Sequence, residues 1–379
     1  MKVIPFFETT EPRRFIDCRT SALRDYFRYY GIPFNSYDAF ILGETISCYS
    51  IRFQVSQKVP IPMQIFVAGT FEPEKSMFHN LGLPYREKVF SEENWEEEIQ
   101  KRIDNSEPVI AVIDIRQITK ELLPTSKTKF DIHCLSSMLI CGYDKENHTY
   151  YLDLKEEKNV GGITVSKQAL KRAINSNTFP LTAGRRYMET TILPSDKERI
   201  QKEYRISILC ALAHTCETML SGGYNLFEHV DVPEMISTNI GYDALQDFIK
   251  LLEEYKIFFQ KAEAVLDSKV RERLLAMAFN IMRQFLMSGS NLCYRQEFGE
   301  SLIYFAQKFS IPEFKLLGEQ FVEISKQWRN MTRMLYNFTE KKGNETEYIR
   351  KLSEYAVEIY KQEHSLFENL LDIIHNYGK

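Results

Sequence analysis

The chain has no CxxC pair, and its seven cysteines follow no regular spacing. Neither a disulfide scaffold nor a zinc module is expected from that pattern. "HTC" (His214–Cys216) sets two metal-type ligands two positions apart, which does not stack them on one helix face, and no second pair lies near. No run approaches the roughly 20 apolar residues that cross a bilayer, so no membrane span is expected. The opening "MKVIPFFETTEP" lacks an apolar core and turns polar within a few residues, so no secretory signal is expected. With an odd cysteine count, this fits a reducing cytoplasm. An excess of one charge is missing too. Lys and Arg total 48 against 52 Asp and Glu, a formal net charge of −4, which argues against a nucleic-acid partner. "LSGGYN" and "MSGSN" break helical stretches without the lysine of a phosphate loop, so no ATP site is read.

What is present is a large core. Hydrophobic residues make up 44% and aromatics 13% of 379 residues, enough for two domains. Residues 1–195 read as mixed α/β. "TISCYSIRFQV", "PMQIFVAG", "PVIAVIDI", "LSSMLICGY" and "HTYYLDL" have the β-branched and aromatic content of strands. The turn "DKEN" between the last two predicts a hairpin. "NSYDAFILG", "SEENWEEEIQKRIDN" (with Ser91 as N-cap) and "SKQALKRAINS" read as helices. "LPSDKERIQKEY", with its proline and charges, reads as a linker into a wholly helical remainder, 196–379. There, Phe314, Leu317, Phe321, Ile324, Trp328, Met331 and Leu335 recur at 3,4 spacing. After "EKKGNE", Leu352, Ala356, Ile359, Glu363, Leu366, Leu370 and Ile373 repeat it with one polar interruption. This predicts a long antiparallel helical hairpin. The fold class expected is α+β, with an all-α C-terminal domain.

Chemistry is expected at "RRFIDCRTSALRDYFRYYG". Ala22, Leu23, Tyr26, Phe27 and Tyr30 share one helix face, and Cys18 comes before that face begins. A packing cysteine belongs among the tyrosines. One in the first turn meets helix amides and the positive end of the dipole, which favour a thiolate. A thiol nucleophile needs a base and a group that orients the base. His133, opening the strand of "FDIHCLSSMLICGYD", and Asp153, in "YYLDLKEE", supply them from two strands of one hairpin. A turn centred on 145–146 sets Asp153 opposite Met138, so a bulge or offset is needed to bring the two together. Taken singly, the alternatives are a core thiol, a structural histidine and a strand-end carboxylate.

The order of Cys18 at a helix start, "PVIAVIDI", "HCLSSMLICGYD", "YLDL" and "ITVSKQALKRAINS" resembles the N-terminal domain of the butirosin biosynthesis acyltransferase family, which is related to papain-like cysteine enzymes. The resemblance covers roughly residues 10–195. "NIGYDALQDFIKLL" and "RQEFGESLIYFAQKF" resemble the helical domain that accompanies such proteins. It implies a papain-like (cysteine-protease-like) catalytic domain over 1–195 and a helical domain over 196–379. Cys18 is then the acyl acceptor, His133 the base and Asp153 its orienter. The implied activity is amide-forming acyl transfer in specialised-metabolite, antibiotic-type biosynthesis, within the cytoplasm. The donor is a phosphopantetheine thioester on an acyl or peptidyl carrier protein, the acceptor a small-molecule amine, and no further cofactor or metal is implied. The helical hairpin offers an interface for a homodimer. Two features depart from the family: "LGETISCYS" has lost most of a glycine-rich stretch, and "TTEPRRFID" lacks the glutamine that papain-type enzymes place before the nucleophile. The Cys18 amide then serves as an oxyanion donor. Hydrolysis by a cysteine peptidase or amidase is the nearest alternative, a non-catalytic scaffold with a papain-like shell the other. The basic pair Arg185–Arg186 reads as a solvated turn, with a phosphate contact as its alternative.

Overall fold

The computed structural model describes residues 1–8, 16–54, 61–67, 69, 72–122, 135–153, 162–177, 183–190, 192–222, 235–286, 293–340 and 345–377. The fold class is α+β, as expected. The chain divides into two compact units, Met1–Gly43 with Glu72–Ser207 and Phe227–Asp231, and Glu44–Phe71 with Ile208–Leu226 and Val232–Lys379. The sequence division at 195/196 follows the change from mixed to helical grammar. The compact units instead group Glu44–Phe71 with the helices and residues 196–207 with the first unit.

The first unit is built on antiparallel strands β1 (Lys2–Val3), β4 (Arg86–Val89), β5 (Val109–Asp114), β6 (Leu135–Asp144), β7 (Thr149–Asp153), β8 (Ile163–Ser166) and β9 (Arg186–Glu189). They form one sheet in the order β4-β9-β5-β6-β7-β8, with β1 paired to the far end of β6. Its helices are α1 (Cys18–Tyr29), α2 (Ser36–Leu42), α3 (Pro73–Asn80), α4 (Trp95–Asp104), α5 (Ile115–Leu122) and α6 (Lys167–Ile174). β5 and β6 are continuous apolar runs because both faces of the sheet are covered. On one face, Tyr151 of β7 donates to Phe7 O (3.4 Å), and Phe7 stacks on Tyr29 of α1. On the other, Tyr150 packs against Trp95 of α4 with centroids 5.7 Å apart. Phe27, fully buried against Phe34 and Phe78, ties α1 to its neighbours, and burying such a ring contributes about 2–3 kcal/mol. Asn35 caps α2 in a capping box with Asp38. Ser91 stands in the turn before α4 rather than at its cap, its Oγ accepting from Asn94 N at 3.3 Å.

Two sequence expectations are corrected by the rest of the chain. "LPSDKERIQKEY" is no linker. It is the start of α7 (Pro194–Ser221), where proline suits the first turn and Asp196 accepts the amide of Leu193. Nor is the region after 196 wholly helical. Met235–Ile240 forms a strand, β10, which pairs with β2 (Tyr49–Phe53), itself paired with β3 (Met63–Val67). The polar alternation of "MISTNI" is a half-exposed edge-strand pattern, easily lost beside long helices.

The second unit adds α8 (Tyr242–Ala262), α9 (Ser268–Leu286), α10 (Arg295–Phe309), α11 (Pro312–Glu340) and α12 (Glu345–Tyr377). One carboxylate joins its sheet to its helices: Asp247 of α8 accepts from Ser50 Oγ (3.0 Å), Gln64 Nε2 (2.9 Å) and Arg52 (3.2 Å). α11 and α12 form the expected antiparallel hairpin, with Gln327 bonded to Gln362 and Tyr348 to Met334 O. The stripe on α12 runs through Glu363, Phe367, Leu370 and Ile374, not Leu366 and Ile373, which are half-buried. A straight helix advances 3.6 residues per turn, so a strict 3,4 count drifts off the buried face.

Candidate active site

Cys18 is the first residue of α1, and Asp17 is the N-cap. Asp17 Oδ1 accepts the amides of Arg19 (2.8 Å) and Thr20 (3.0 Å), while Oδ2 accepts the Thr20 hydroxyl (2.5 Å). Burial pushes the Asp17 carboxyl above its ordinary range, against the lowering effect of those bonds. Asp17 thus takes up first-turn amides that would otherwise favour an anion at position 18. This role was legible in principle, since aspartate directly before a helix is a strong cap. Arg19 turns away to a bidentate pair with buried Glu74 of α3. The Cys18 thiol itself is partly exposed.

The orientation of α1 follows from its far end. Tyr29 donates to Ser106 O, just before β5 begins, and Tyr26 to Thr190 O, just after β9 ends. The helix is about 18 Å long at 1.5 Å per residue. Its start therefore points to the opposite end of the sheet, where β5 ends at Asp114, β6 begins at Leu135 and β7 ends at Asp153. Cys18 and Asp153 share that end. They also share a face: Asp153 lies two residues beyond Tyr151, whose side chain points to the α1 side.

Asp153 is buried (5% exposed) and pairs across β6 with Leu139. The hairpin carries a bulge at Cys141, an extra residue between the pairs Ile140–Leu152 and Gly142–Tyr151. A Cβ at Gly142 would meet Lys2 O at 2.8 Å, so the bulge and the close approach of β1 need glycine there. The turn is centred on 146–147, one residue later than expected, which alone would set Asp153 opposite Ile140; the bulge brings it back one residue to Leu139, next to the expected partner Met138. Leu135 is four residues, about 13 Å, further along the strand. Register alone does not set Asp153 beside the first residue of β6. His133, two positions before that residue, lies outside the described residues, as does Cys134.

Two hydroxyls that the sequence did not single out lie in this region. Ser137, fully buried, is the diagonal neighbour of Asp153 on the α1 side of β6 and pairs with Val112. Ser21 sits one helical turn after Cys18. Among the described residues, neither hydroxyl has a hydrogen-bond partner. Buried hydroxyls are nearly always bonded, so these two mark a polar surface. A serine in an apolar strand was the only signal. Asp114 is occupied structurally, accepting from Ser176 Oγ (2.8 Å) and Arg116.

In the second unit, His214 and Cys216 diverge. The imidazole meets Glu44 at 3.4 Å while the thiol is fully buried. Among the described residues no cluster of His, Cys, Asp and Glu is placed to hold a metal, and no helix is long and apolar enough to cross a membrane.

Residues 17–153 match the family model described as butirosin biosynthesis protein H, N-terminal, so the likeness read from the sequence is shown over that stretch. The match opens one residue before Cys18 and closes on Asp153. No curated protein gives a significant match.

Proposed function

We propose, from a chain whose residues 17–153 are similar to the N-terminal region of butirosin biosynthesis protein H, that this protein is a cysteine-dependent acyltransferase that forms amides. The observation that carries the reading is the shared sheet end: a partly exposed helix-start thiol, a buried aspartate and the approach to the strand that follows His133. A papain-like arrangement, with the nucleophile at the start of a helix packed on an antiparallel sheet, is part of this proposal.

Cys18 Sγ attacks the carbonyl of an acyl thioester carried on a phosphopantetheine arm, and His133 takes the thiol proton. The tetrahedral intermediate collapses, the carrier thiol leaves with that proton, and Cys18 holds the acyl group. An amine then attacks the new thioester and gives its proton to His133, which returns it to the departing Cys18 sulfur. Asp153 orients the imidazole in the manner of a triad carboxylate. Exchange between thioesters is nearly isoenergetic and aminolysis runs downhill, so the sequence of steps needs no nucleotide. The first unit holds these residues, and the second is proposed as its helical companion.

Intact-mass measurement after incubation with an acylated carrier protein tests the reading. A covalent adduct of the acyl mass is expected on the wild type and none on Cys18→Ala. Addition of amines should discharge the adduct as amide. Discharge only as free acid would move the assignment to hydrolysis, and no adduct on the wild type would sink both.

A further inference from the structure

We infer that the hydroxyl of Ser137, buried on β6, is the donor that steadies the ionised sulfur of Cys18 from the sheet side, a positioning role in the acyl transfer proposed above. It rests on that reading's choice of nucleophile, but its test needs no acyl donor. Ser137 is 0% exposed, and its Oγ has no hydrogen-bond partner among the described residues. A buried hydroxyl left without a bond costs stability and is rare, so it calls for a role. The neighbouring Ser136 is the ordinary case. It points to the opposite face of the sheet, and its Oγ donates to Ser137 O at 3.5 Å.

Face and height bring this hydroxyl to Cys18. Along β6, Ser137 points the same way as Leu139, the partner of Asp153, and that is the α1 face. α1 packs on β6. Cys18 shares a helix face with Ala22 and Tyr29, and Tyr29 stacks on Phe7 against the sheet residue Tyr151. Cys18 precedes Tyr29 by about 17 Å of helix. Tyr29 donates to Ser106 O, and the chain from there to Val112, the partner of Ser137, covers roughly 15–20 Å. Ser137 and Cys18 therefore stand near one level on facing surfaces. Ser21, the other unbonded hydroxyl, is a turn further along and about 60° round the helix from Cys18, so it is less well placed.

The surroundings leave a thiolate in need of a donor. Among the described residues the charged groups here are Asp17, Arg19 and the Arg24–Asp25 pair on α1, Glu72 and Glu74 at α3, Asp153 on β7, and Asp114 with Arg116 after β5. Arg19 and Arg116 are taken up by Glu74 and Asp114, so carboxylates predominate. Asp17 also holds the amides of Arg19 and Thr20. A serine turning about χ1 can stand unbonded against a thiol and donate to a thiolate.

The test is the pH profile of iodoacetamide alkylation at Cys18, read by peptide mass mapping on the full chain. Ser137→Ala should react about three- to tenfold more slowly than the wild type at pH 7, with the two rates converging at high pH, where both thiols are ionised. Threonine and valine share a shape and differ in the hydroxyl. Ser137→Thr should therefore follow the wild type, and Ser137→Val the alanine variant. Ser136→Ala, on the other face, should leave the profile unchanged. Ser137→Ala should also unfold at no lower urea concentration than the wild type, because the hydroxyl it removes makes no bond in the resting protein. A wild-type profile in Ser137→Ala, like behaviour of the threonine and valine variants, or a deficit that persists at high pH overturns the inference. So does an equal effect of Ser136→Ala, or a marked loss of stability in Ser137→Ala. A shifted profile in a protein that takes no acyl group keeps the role of Ser137 and removes the acyltransferase reading. An acyl adduct with an unshifted profile does the reverse.

Discussion

Asp17 accepts both the amide and the hydroxyl of Thr20, closing the first turn of the helix that Cys18 opens. A thiol at a helix start would ordinarily have the first amides and the dipole to itself. Here a buried carboxylate stands between, and the reactivity of Cys18 is tied to the state of its neighbour.

Asp17→Asn is therefore expected to raise the alkylation rate of Cys18 several-fold at neutral pH, because a neutral cap replaces a carboxylate. Asp17→Ala should lower stability by about 1–2 kcal/mol through loss of the cap. The pH dependence has a definite sign. The folded Asp17 carboxyl is raised above its ordinary value of 3.8, so its contribution is full below that value and is lost as pH rises through the folded one. Denaturant melts from pH 3 to 7 should show Asp17→Asn gaining on the wild type as pH increases. A wild type that gains on Asp17→Asn as pH rises would contradict the assignment.

Thiol footprinting should sort the cysteines by burial. Cys18 and exposed Cys210 are expected to react with iodoacetamide in the native protein. Burial pushes the Cys48 thiol up to about 11 and raises Cys216 and Cys293 as well, so these stay protonated and sheltered at pH 8. Peptide mass mapping before and after unfolding checks the order. Native labelling of Cys48 ahead of Cys18 would be incompatible with it.

The polar interruption of the helical hairpin, Glu363, is a buried ionic latch. It accepts from Arg295 (2.7 Å) and Trp328 Nε1 (2.5 Å), and the guanidinium lies 4.5 Å over the Trp328 ring. Arg295 also donates to the carbonyls of Ser47 (3.2 Å) and Cys293 (2.9 Å). Removing one partner leaves the other charge buried alone, so Glu363→Ala should cost about 3–5 kcal/mol. Replacing both, as Arg295→Met with Glu363→Leu, should recover much of that loss. Urea unfolding of the three variants decides it: a single variant within about 1 kcal/mol of the wild type would show that the pair is not a latch.

The sequence by itself determined the elements whose signals are local. The helix that Cys18 opens, the strands ending at Asp114 and Asp153, and the paired helices through Trp328 and Glu363 follow from periodicity and caps, which depend on neighbours a few residues away. Tertiary structure decided what depends on distant partners. "TISCYSIRFQV" and "PMQIFVAG" are strands in either unit, and only their pairing with Met235–Ile240 assigns them to the helical one. The bulge at Cys141 and a turn centred one residue later than expected set the register of Asp153, and alternation along the two strands reveals neither, while β1 comes close to Gly142 beside the bulge.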